Sequence, residues 1–413
     1  MKDNLKKLLD AREAREMFEQ KIMKENFGCT LITIRANYAG ENKNTMYAHL
    51  ISCLHFLKVQ KKIHAKKIFH SLTFEGLIFF ILTDELPHNV KWKMILIEEN
   101  FFLGRLADID VRTEEKIFSR TDINMHPRKC LLCDNAAVLC VRNRTHSTED
   151  VLKKTVAMTE QFFTRAHNMQ TLLSHIVRAS MLEELCREVS LGCVNVNSNG
   201  SHPDMNFLLM LQGVEIVCEA IKKLRKKNIK DFAALRAYGI NFEKKLLANC
   251  AGVNTYKGAH FLLLILSAAV LRTKNFSCLQ KYIANFSAPC LLDIAQRETN
   301  GKLKYLGIRG EAASGFAHHF EIFLPLLESG ASSETLTLNI LQHTYDTTTI
   351  KRGGIDALRF ICMQAQNAST PDDITALDKY CVDKNISTGG VADNFIVTYA
   401  LFLIKKYIYR LPG

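Results

Sequence analysis

The stretch HSLTFEGLIFFILT, residues 70–83, is rich in β-branched and aromatic side chains and is followed by a turn at Pro87, His88 and Asn89. Such a run predicts a strand. VKWKMILIEE, residues 90–99, reads as the strand it pairs with across that turn. Upstream, CTLITIR, residues 29–35, ends near the turn residues Gly40, Glu41 and Asn42 and reads as a further strand. Residues 104–111 and 116–120 read as another pair, and residues 5–23 have helical spacing. This front part is therefore expected to be α+β. After roughly residue 165 the strand signals stop, and apolar residues recur every three or four positions over 171–189, 205–224 and 261–272. The rear part is expected to be all-α. Domains of 1–165 and 166–413 follow, with the seam inside the charged helical stretch THSTEDVLKK rather than in a Pro/Gly linker. No solenoid repeat is visible.

With 413 residues, 47% hydrophobic and 23% charged, the chain has globular composition and length for two or three cores, which excludes a disordered or collagen-like protein. Its longest apolar run, residues 261–271 with Ser267 inside it, is about half of what a bilayer-spanning helix needs. A soluble protein with no membrane partner is expected. Residues 1–16 are charged, with no apolar core of a signal peptide, so the expected localisation is cytoplasmic. Thirteen cysteines without framework spacing read as reduced thiols. Lys and Arg number 54 against 42 acids, a net +12 that favours nucleotides, phosphates or an acidic protein, although a solvated lysine surface has the same charge. No aromatic-interleaved basic stripe is present, and no nucleic-acid partner is expected.

Two clusters in the front part carry chemistry. In LGRLADIDV, residues 103–111, Asp108 and Asp110 are two apart, so on a strand both point to one face. Such a pair repels itself unless a cation intervenes, and Mg²⁺ bridging a polyphosphate is the natural occupant. Arg105 beside Gly104 is placed to meet the same phosphates. A plain hairpin with solvated charges is the alternative. The second cluster, Cys130, Cys133, Cys140 and His146 in RKCLLCDNAAVLCVRNRTH, has spacing that suits a structural Zn²⁺. Buried thiols, or phosphate and acidic-partner binding by Arg128, Lys129, Arg142 and Arg144, fit the same residues.

AREARE (residues 11–16), AGENK with Gly40 and Lys43, GRLADIDV, and HPRKCLLCDNAAVLCVRNRTH (126–146) together resemble the citrate lyase holo-[acyl-carrier protein] synthase family over about the first 150 residues. The resemblance implies a nucleotidyltransferase-like sheet with helices. It also implies transfer of a triphosphoribosyl-dephospho-CoA group to a serine of the lyase's apo acyl carrier subunit, with release of pyrophosphate. Asp108 and Asp110 would then be catalytic Mg²⁺ ligands, Arg105 and Lys43 phosphate-binding, and Glu98 a third carboxylate.

In the rear part, four segments show a Gly and Ser/Thr/Asn turn feeding an apolar helix with charges at the turn: GVNTYKGAHFLLL (252–264), GIRGEAASGF (307–316), DTTTIKRGGIDALRF (346–360) and ISTGGVADNFIV (386–397). Free N–H groups and the dipole at a helix start favour anions, and Lys257, Arg309 and Arg352 add full charge; helix capping explains each segment taken alone. NVNSNGSHPDM (195–205) adds His202 and Asp204. In this order the segments resemble the triphosphoribosyl-dephospho-CoA synthase family over roughly residues 170–405, and fusion of the two families is a known arrangement. The resemblance implies ATP and dephospho-CoA as substrates, with adenine expelled. It gives His202, Asn254, Lys257, Arg309, Arg352, Gly353, Gly389 and Gly390 to nucleotide binding, Asp204 and Asp346 to Mg²⁺, and Glu311 or Asp393 to the general base. The sequence departs from the family where a Pro-Lys-Pro-Gly segment and an Asp are usual: Ser190, Leu191, Gly192 and Cys193 stand there, with Asn195 near the expected acid, and Tyr256 replaces a frequent His. A noncatalytic scaffold docking the carrier, or a chain active only in its front part, are the competing expectations.

Overall fold

In a computed structural model, which describes residues 2–411, the chain forms two units, the first ending at Phe162 and the second starting at Phe163. The first unit runs α1 (Lys2–Glu25), β1 (Thr30–Ala36), α2 (Met46–Gln60), β2 (Lys67–Thr73), β3 (Gly76–Thr83), α3 (Pro87–Asn100), β4 (Ala107–Arg112), β5 (Ile117–Phe118), α4 (Ala137–Arg142) and α5 (Thr148–Thr164). Its sheet has the order β2-β3-β1-β4-β5 with every pairing antiparallel. One face carries Ile32, Ile34, Phe79 and Ile81 in the buried core, with Phe56 of α2 stacked on Phe79 at 4.1 Å. On the other face Ile22 and Met23 of α1 pack with Leu31, Ile78, Phe80 and Leu82. That apolar packing covers β1 and β3 and leaves the polar positions of β4 beside the middle of α1.

Two strand expectations are corrected. Residues 70–83 hold most of two strands, β2 and β3, joined through a hairpin whose Gly76 takes φ +89°. Residues 90–99 are not a strand but lie in α3. Pro87 sits in its first turn, where the fixed φ suits a helix, and Val90, Met94 and Ile97 are buried at spacings of four and three. A short run of Ile, Leu and Val satisfies either period, and the burial of one helical stripe on the sheet decided between them.

The second unit is helical: α6 (Met169–Leu185), α7 (Phe207–Lys223), α8 (Phe232–Asn249), α9 (Lys257–Val270), α10 (Leu279–Thr299), α11 (Ile308–Ala313), α12 (Leu324–Glu328), α13 (Ser333–His343), α14 (Thr347–Asn367), α15 (Pro371–Asp383) and α16 (Gly389–Tyr407). Helix α16 packs on α6 and α9, and α6 on α7, burying Ile176, Leu182, Val214, Leu263, Phe395 and Leu403. The α+β then all-α organisation agrees with the sequence expectation. All thirteen cysteines are free thiols, and among the described residues no helix is long and apolar enough to cross a membrane.

Gly104, at the turn into β4, has no room for a side chain, since a Cβ there would lie 2.2 Å from the Glu98 carbonyl oxygen. Gly104→Ala is expected to cost about 1–3 kcal/mol through forced displacement of α3 or β4. An earlier urea transition of the first unit, with that of the second unchanged, would show it.

Candidate active sites

In the first unit, the β1–β4 register sets Arg35 opposite Asp108 and Thr33 opposite Asp110. Burial alternates along β4, so Asp108, Asp110 and Arg112 share one face. Arg35 donates from Nη2 to Asp108 Oδ2, and the same nitrogen lies 3.4 Å from Asp110 Oδ2. Its Nη1 is buried without a hydrogen-bond partner. Burial opposes ionisation of Asp108, yet Arg35, with Arg128 and Lys91 further off, holds its carboxyl below the usual range. Asp110 moves the other way, raised by burial and by the Asp108 charge. Arg35 thus favours the charge on Asp108, and that charge in turn disfavours one on Asp110.

Helix α1 completes this face. Arg112 donates to Glu16 at 2.9 Å and Glu19 at 2.7 Å, Thr33 donates to Glu19 at 3.0 Å, and Arg15 joins Glu19 to Glu75. Glu19 is only 2% exposed, so the centre of this network is buried while Glu16 stands at its exposed edge. Lys43 lies in the same field: burial, then the charges of Arg12 and Arg35, lower its pKa, partly offset by Glu75 and Asp108. Arg35, with Arg128, Lys91 and Lys43 at longer range, thus acts on the aspartates, and Lys43, whose charge is disfavoured by burial and by Arg12, would be relieved by a bound anion.

The other sequence-derived residues of this unit lie elsewhere. Arg105 donates to the Lys129 carbonyl and no bond joins it to the aspartates. Glu98 is buried on α3 in an ion pair with Arg120 at 2.6 Å. After Asp108, the carboxylate whose charge acts on Asp110 is Glu19 rather than Glu98. Arg35 was missed because only strand pairing brings it to Asp108, and Arg15 and Glu19 because only the packing of α1 on the sheet brings them to this face, although AREARE was a visible signal for the helix. Cys130, Cys133, Cys140 and His146 do gather, with ligand atoms all within 4.8 Å of one another.

In the second unit a cavity of about 170 Å³ is lined by Glu184, Cys193, His202, Asn254, Tyr256, Lys257, Thr348, Ser387, Gly389 and Asp393 among others. A larger cleft of about 290 Å³, lined by Phe360, Gln364, Leu377 and Tyr380, has one carboxylate, Asp373, which is occupied in capping α15. The smaller cavity gathers more of the titratable side chains. Its two acids are Glu184 and Asp393. Burial, then the charges of Asp346 and Glu184, push the Asp393 carboxyl well above the ordinary value, against one N–H bond from Ala259. Gly258 makes room for it, because a Cβ there would meet Asp393 Oδ2 at 1.8 Å. The Tyr256 hydroxyl is buried without a hydrogen-bond partner, and Tyr256 is 3% exposed.

His202 is held from both sides. Arg352 Nη2 donates to its Nδ1 at 3.0 Å, which leaves the proton on Nε2, 2.9 Å from Ser387 Oγ. Asn254 Oδ1 accepts from the Lys257 amide at 3.3 Å, and Lys257 Nζ pairs with Glu243 at 2.6 Å. The structure does not bring in the rest. Asp346 is fully buried and accepts N–H bonds from Thr348 and Thr349 of α14 and from Val391 of α16, with Gly390 adding a fourth, so its lone pairs are spent on two helix starts. It is a double cap rather than a Mg²⁺ ligand. Asp204 is exposed and does not line the cavity. Arg309 pairs with Glu298 at 2.7 Å. Glu311 is bound by His318 at 2.5 Å and has His319 at 3.6 Å; despite burial they hold its carboxyl down to about 2, a poor base. Gly353 packs on Ala357 and Ile386, outside the cavity lining, while Gly389 rests on Thr348. Asn195 makes an Asx turn by accepting from Asn197 and Ser198. Glu184, a carboxylate in the apolar stripe of α6, went unnoticed in the sequence.

Residues 170–410 match the family model of the ATP:dephospho-CoA triphosphoribosyl transferase, and residues 3–162 that of the apo-citrate lyase phosphoribosyl-dephospho-CoA transferase. The chain belongs to both families, as a fusion. Protein CitXG of Haemophilus influenzae is 27% identical over 96% of this chain and 95% of its own length. Protein CitXG of Leuconostoc mesenteroides subsp. cremoris is 28% identical over 96% of each. The 2-(5''-triphosphoribosyl)-3'-dephosphocoenzyme-A synthase of Pectobacterium atrosepticum is 30% identical over 51% of this chain and 82% of its own. The chain is thus a bifunctional transferase of citrate lyase prosthetic-group biosynthesis.

Arg35→Ala removes the cation that stabilises ionised Asp108, so the Asp108 proton leaves only at higher pH. The acid limb of the pH profile for carrier modification, measured with preformed precursor, is expected to move upward. Arg105→Ala should leave it in place.

Proposed function

We propose that the second unit performs its reaction at the Asp393 cavity and the first at the Asp108–Asp110 face, in sequence. In the second unit a hydroxyl of dephospho-CoA attacks the anomeric carbon of the ATP ribose. The glycosidic bond to adenine breaks, and adenine leaves while the triphosphate stays attached. Asp393 takes the hydroxyl proton, because its raised affinity for a proton suits a base and Glu311 is spent on histidines. The carboxylates Asp393 and Glu184 stand beside a cationic centre developing at that carbon. Tyr256 offers its unpartnered hydroxyl to the ribose, and the Arg352–His202–Ser387 chain orients further donors of the cavity lining. The cavity has room for a reacting sugar rather than for both substrates entire.

In the first unit a serine of the apo acyl carrier subunit attacks the phosphorus nearest the ribose, and pyrophosphate leaves. The observation that carries this reading is Arg35, with one nitrogen on Asp108 and the other buried and unpartnered, in a field of cations around Lys43. Arg35, Lys43 and Arg12 bind the polyphosphate in this proposal. Asp108 and Asp110 hold Mg²⁺, since two partly exposed, mutually repelling carboxylates form the hard oxygen donor set that cation takes. When bound, Mg²⁺ neutralises charge on the leaving pyrophosphate. We assign Cys130, Cys133, Cys140 and His146 to a structural Zn²⁺, a Cys₃His set. The acidic carrier, ATP and dephospho-CoA are the partners, and a cytoplasmic location suits free thiols.

Incubation with ATP and dephospho-CoA is expected to release adenine, and addition of apo carrier to release pyrophosphate and raise the carrier's mass. Asp393→Asn should lower adenine release by about 10²-fold or more while transfer from preformed precursor persists, and Asp108→Asn should do the reverse. No adenine from the unaltered chain would overturn the synthase reading alone.

A further inference from the structure

The segment 126–146 of the first unit is held by little apolar burial. Cys140 is its one fully buried residue, while Val138, Leu139 and Val141 of the short α4 are 49%, 50% and 77% exposed. Its ordered shape comes from polar closure. Lys129 bridges Ala136, the Cys130 amide donates to Asn135 at 2.7 Å, and the Ala137 amide donates to the Arg128 carbonyl at 2.8 Å. The Leu132 amide donates to Cys130 Sγ at 3.4 Å, Cys133 Sγ stands 3.5 Å from Cys140 Sγ, and His146 Nε2 is 3.4 Å from Cys133 Sγ. Three sulfurs and one imidazole at mutual distances within 4.8 Å, in a loop with no core, form a donor set that a single ion would cross-link.

What this loop carries is Arg128, two residues before Cys130. Its Nη2 donates to the Ala107 carbonyl at 2.7 Å, to that of Arg105 at 2.8 Å and to that of Gly104 at 3.4 Å. Its Nη1 stands 4.0 Å from Asp108 Oδ1. In return Arg105 donates to the Lys129 carbonyl. The turn that delivers Asp108 to the active face is therefore clamped to the loop from both sides.

We propose that Zn²⁺ on Cys130, Cys133, Cys140 and His146 fastens Arg128 to the Gly104–Ala107 turn, so that zinc occupancy sets Asp108 in place and governs transfer to the carrier without affecting the synthase unit. The inference rests on the zinc and transferase readings above. On binding, three thiol protons pass to solvent and the thiolates and neutral imidazole donate to the ion; nothing is oxidised. Arg128 is a positioning residue, acting through the turn and Asp108.

The test uses the full chain. Elemental analysis is expected to find stoichiometric zinc, and Co²⁺ substitution to give the thiolate charge-transfer and strong visible bands of a tetrahedral site. Zinc removal with Mg²⁺ kept in excess, or Cys133→Ser, should lower transfer from preformed precursor about 10–100-fold, while adenine release by the same sample stays unchanged. Cys133→His, which supplies another zinc ligand, should restore both metal and transfer. Arg128→Ala should keep its zinc yet lose kcat at unchanged KM for the carrier. A chain without zinc after expression in zinc-supplemented medium overturns the metal site. Stoichiometric zinc whose removal leaves transfer within about twofold overturns the coupling alone, against the loss expected for a supporting shell. If the unaltered chain transfers nothing, the transferase reading falls. Affinity for inorganic triphosphate, measured by calorimetry with and without zinc, then decides the coupling: a drop on zinc removal supports it and equal affinity refutes it. Should Cys133→Ser fail to fold, Arg128→Ala and the stripped protein still decide.

Discussion

Two aspartates on one face of a strand repel each other, and the first unit is organised around meeting that constraint. The pairing of β1 with β4 sets Arg35 opposite Asp108, and the guanidinium reaches both carboxylates. A shift of the register by one residue would send every side chain of β4 to the opposite face and bury the acids in the core. Hydrophobic alternation thus guards the register, and the register keeps Arg35 beside the two aspartates. Around this centre α1 contributes a second, buried network in which Glu19 joins Arg15, Thr33 and Arg112. Breaking such a network from one side leaves an uncompensated buried charge, which costs far more than a surface pair.

The second unit solves a different problem with the same elements. Its helix starts present N–H groups that attract anions, and the protein meets several of these with its own carboxylates. Asp346 closes the starts of α14 and α16 together, and Asp393 reaches the start of α9 through Ala259. A buried carboxylate so saturated with donors is structural. One with a single donor and two like-charged neighbours keeps an appetite for a proton. This difference in donor count separates Asp346 from Asp393 more sharply than burial, which both share.

Much of this was legible in the sequence. The division into an α+β front and an all-α rear follows from periodicity, because core burial imposes a period of two on half-buried strands and one near 3.6 on helices. The aspartate pair, the thiol and imidazole spacing, His202 and Asp393 were visible as local patterns. The resemblance to the two transferase families rested on such local segments, which the family matches over residues 3–162 and 170–410 bear out. Where periodicity was short, as in residues 90–99, the reading failed, since packing against the sheet and not the local pattern chose the helix.

By itself the sequence determined which residue types stand within a turn or a strand step of one another. Spacing along a chain translates directly into a shared face, so Asp108 with Asp110 needed no tertiary information. Only the tertiary structure decided what lies opposite them. Arg35 is 73 residues from Asp108, and Glu184, Tyr256 and Asp393 come from three separate helical regions. It also decided which charges are spent: Arg309 on Glu298, Glu311 on two histidines, Asp346 on backbone amides. Partnering is a property of three-dimensional neighbours, and local spacing carries no record of it.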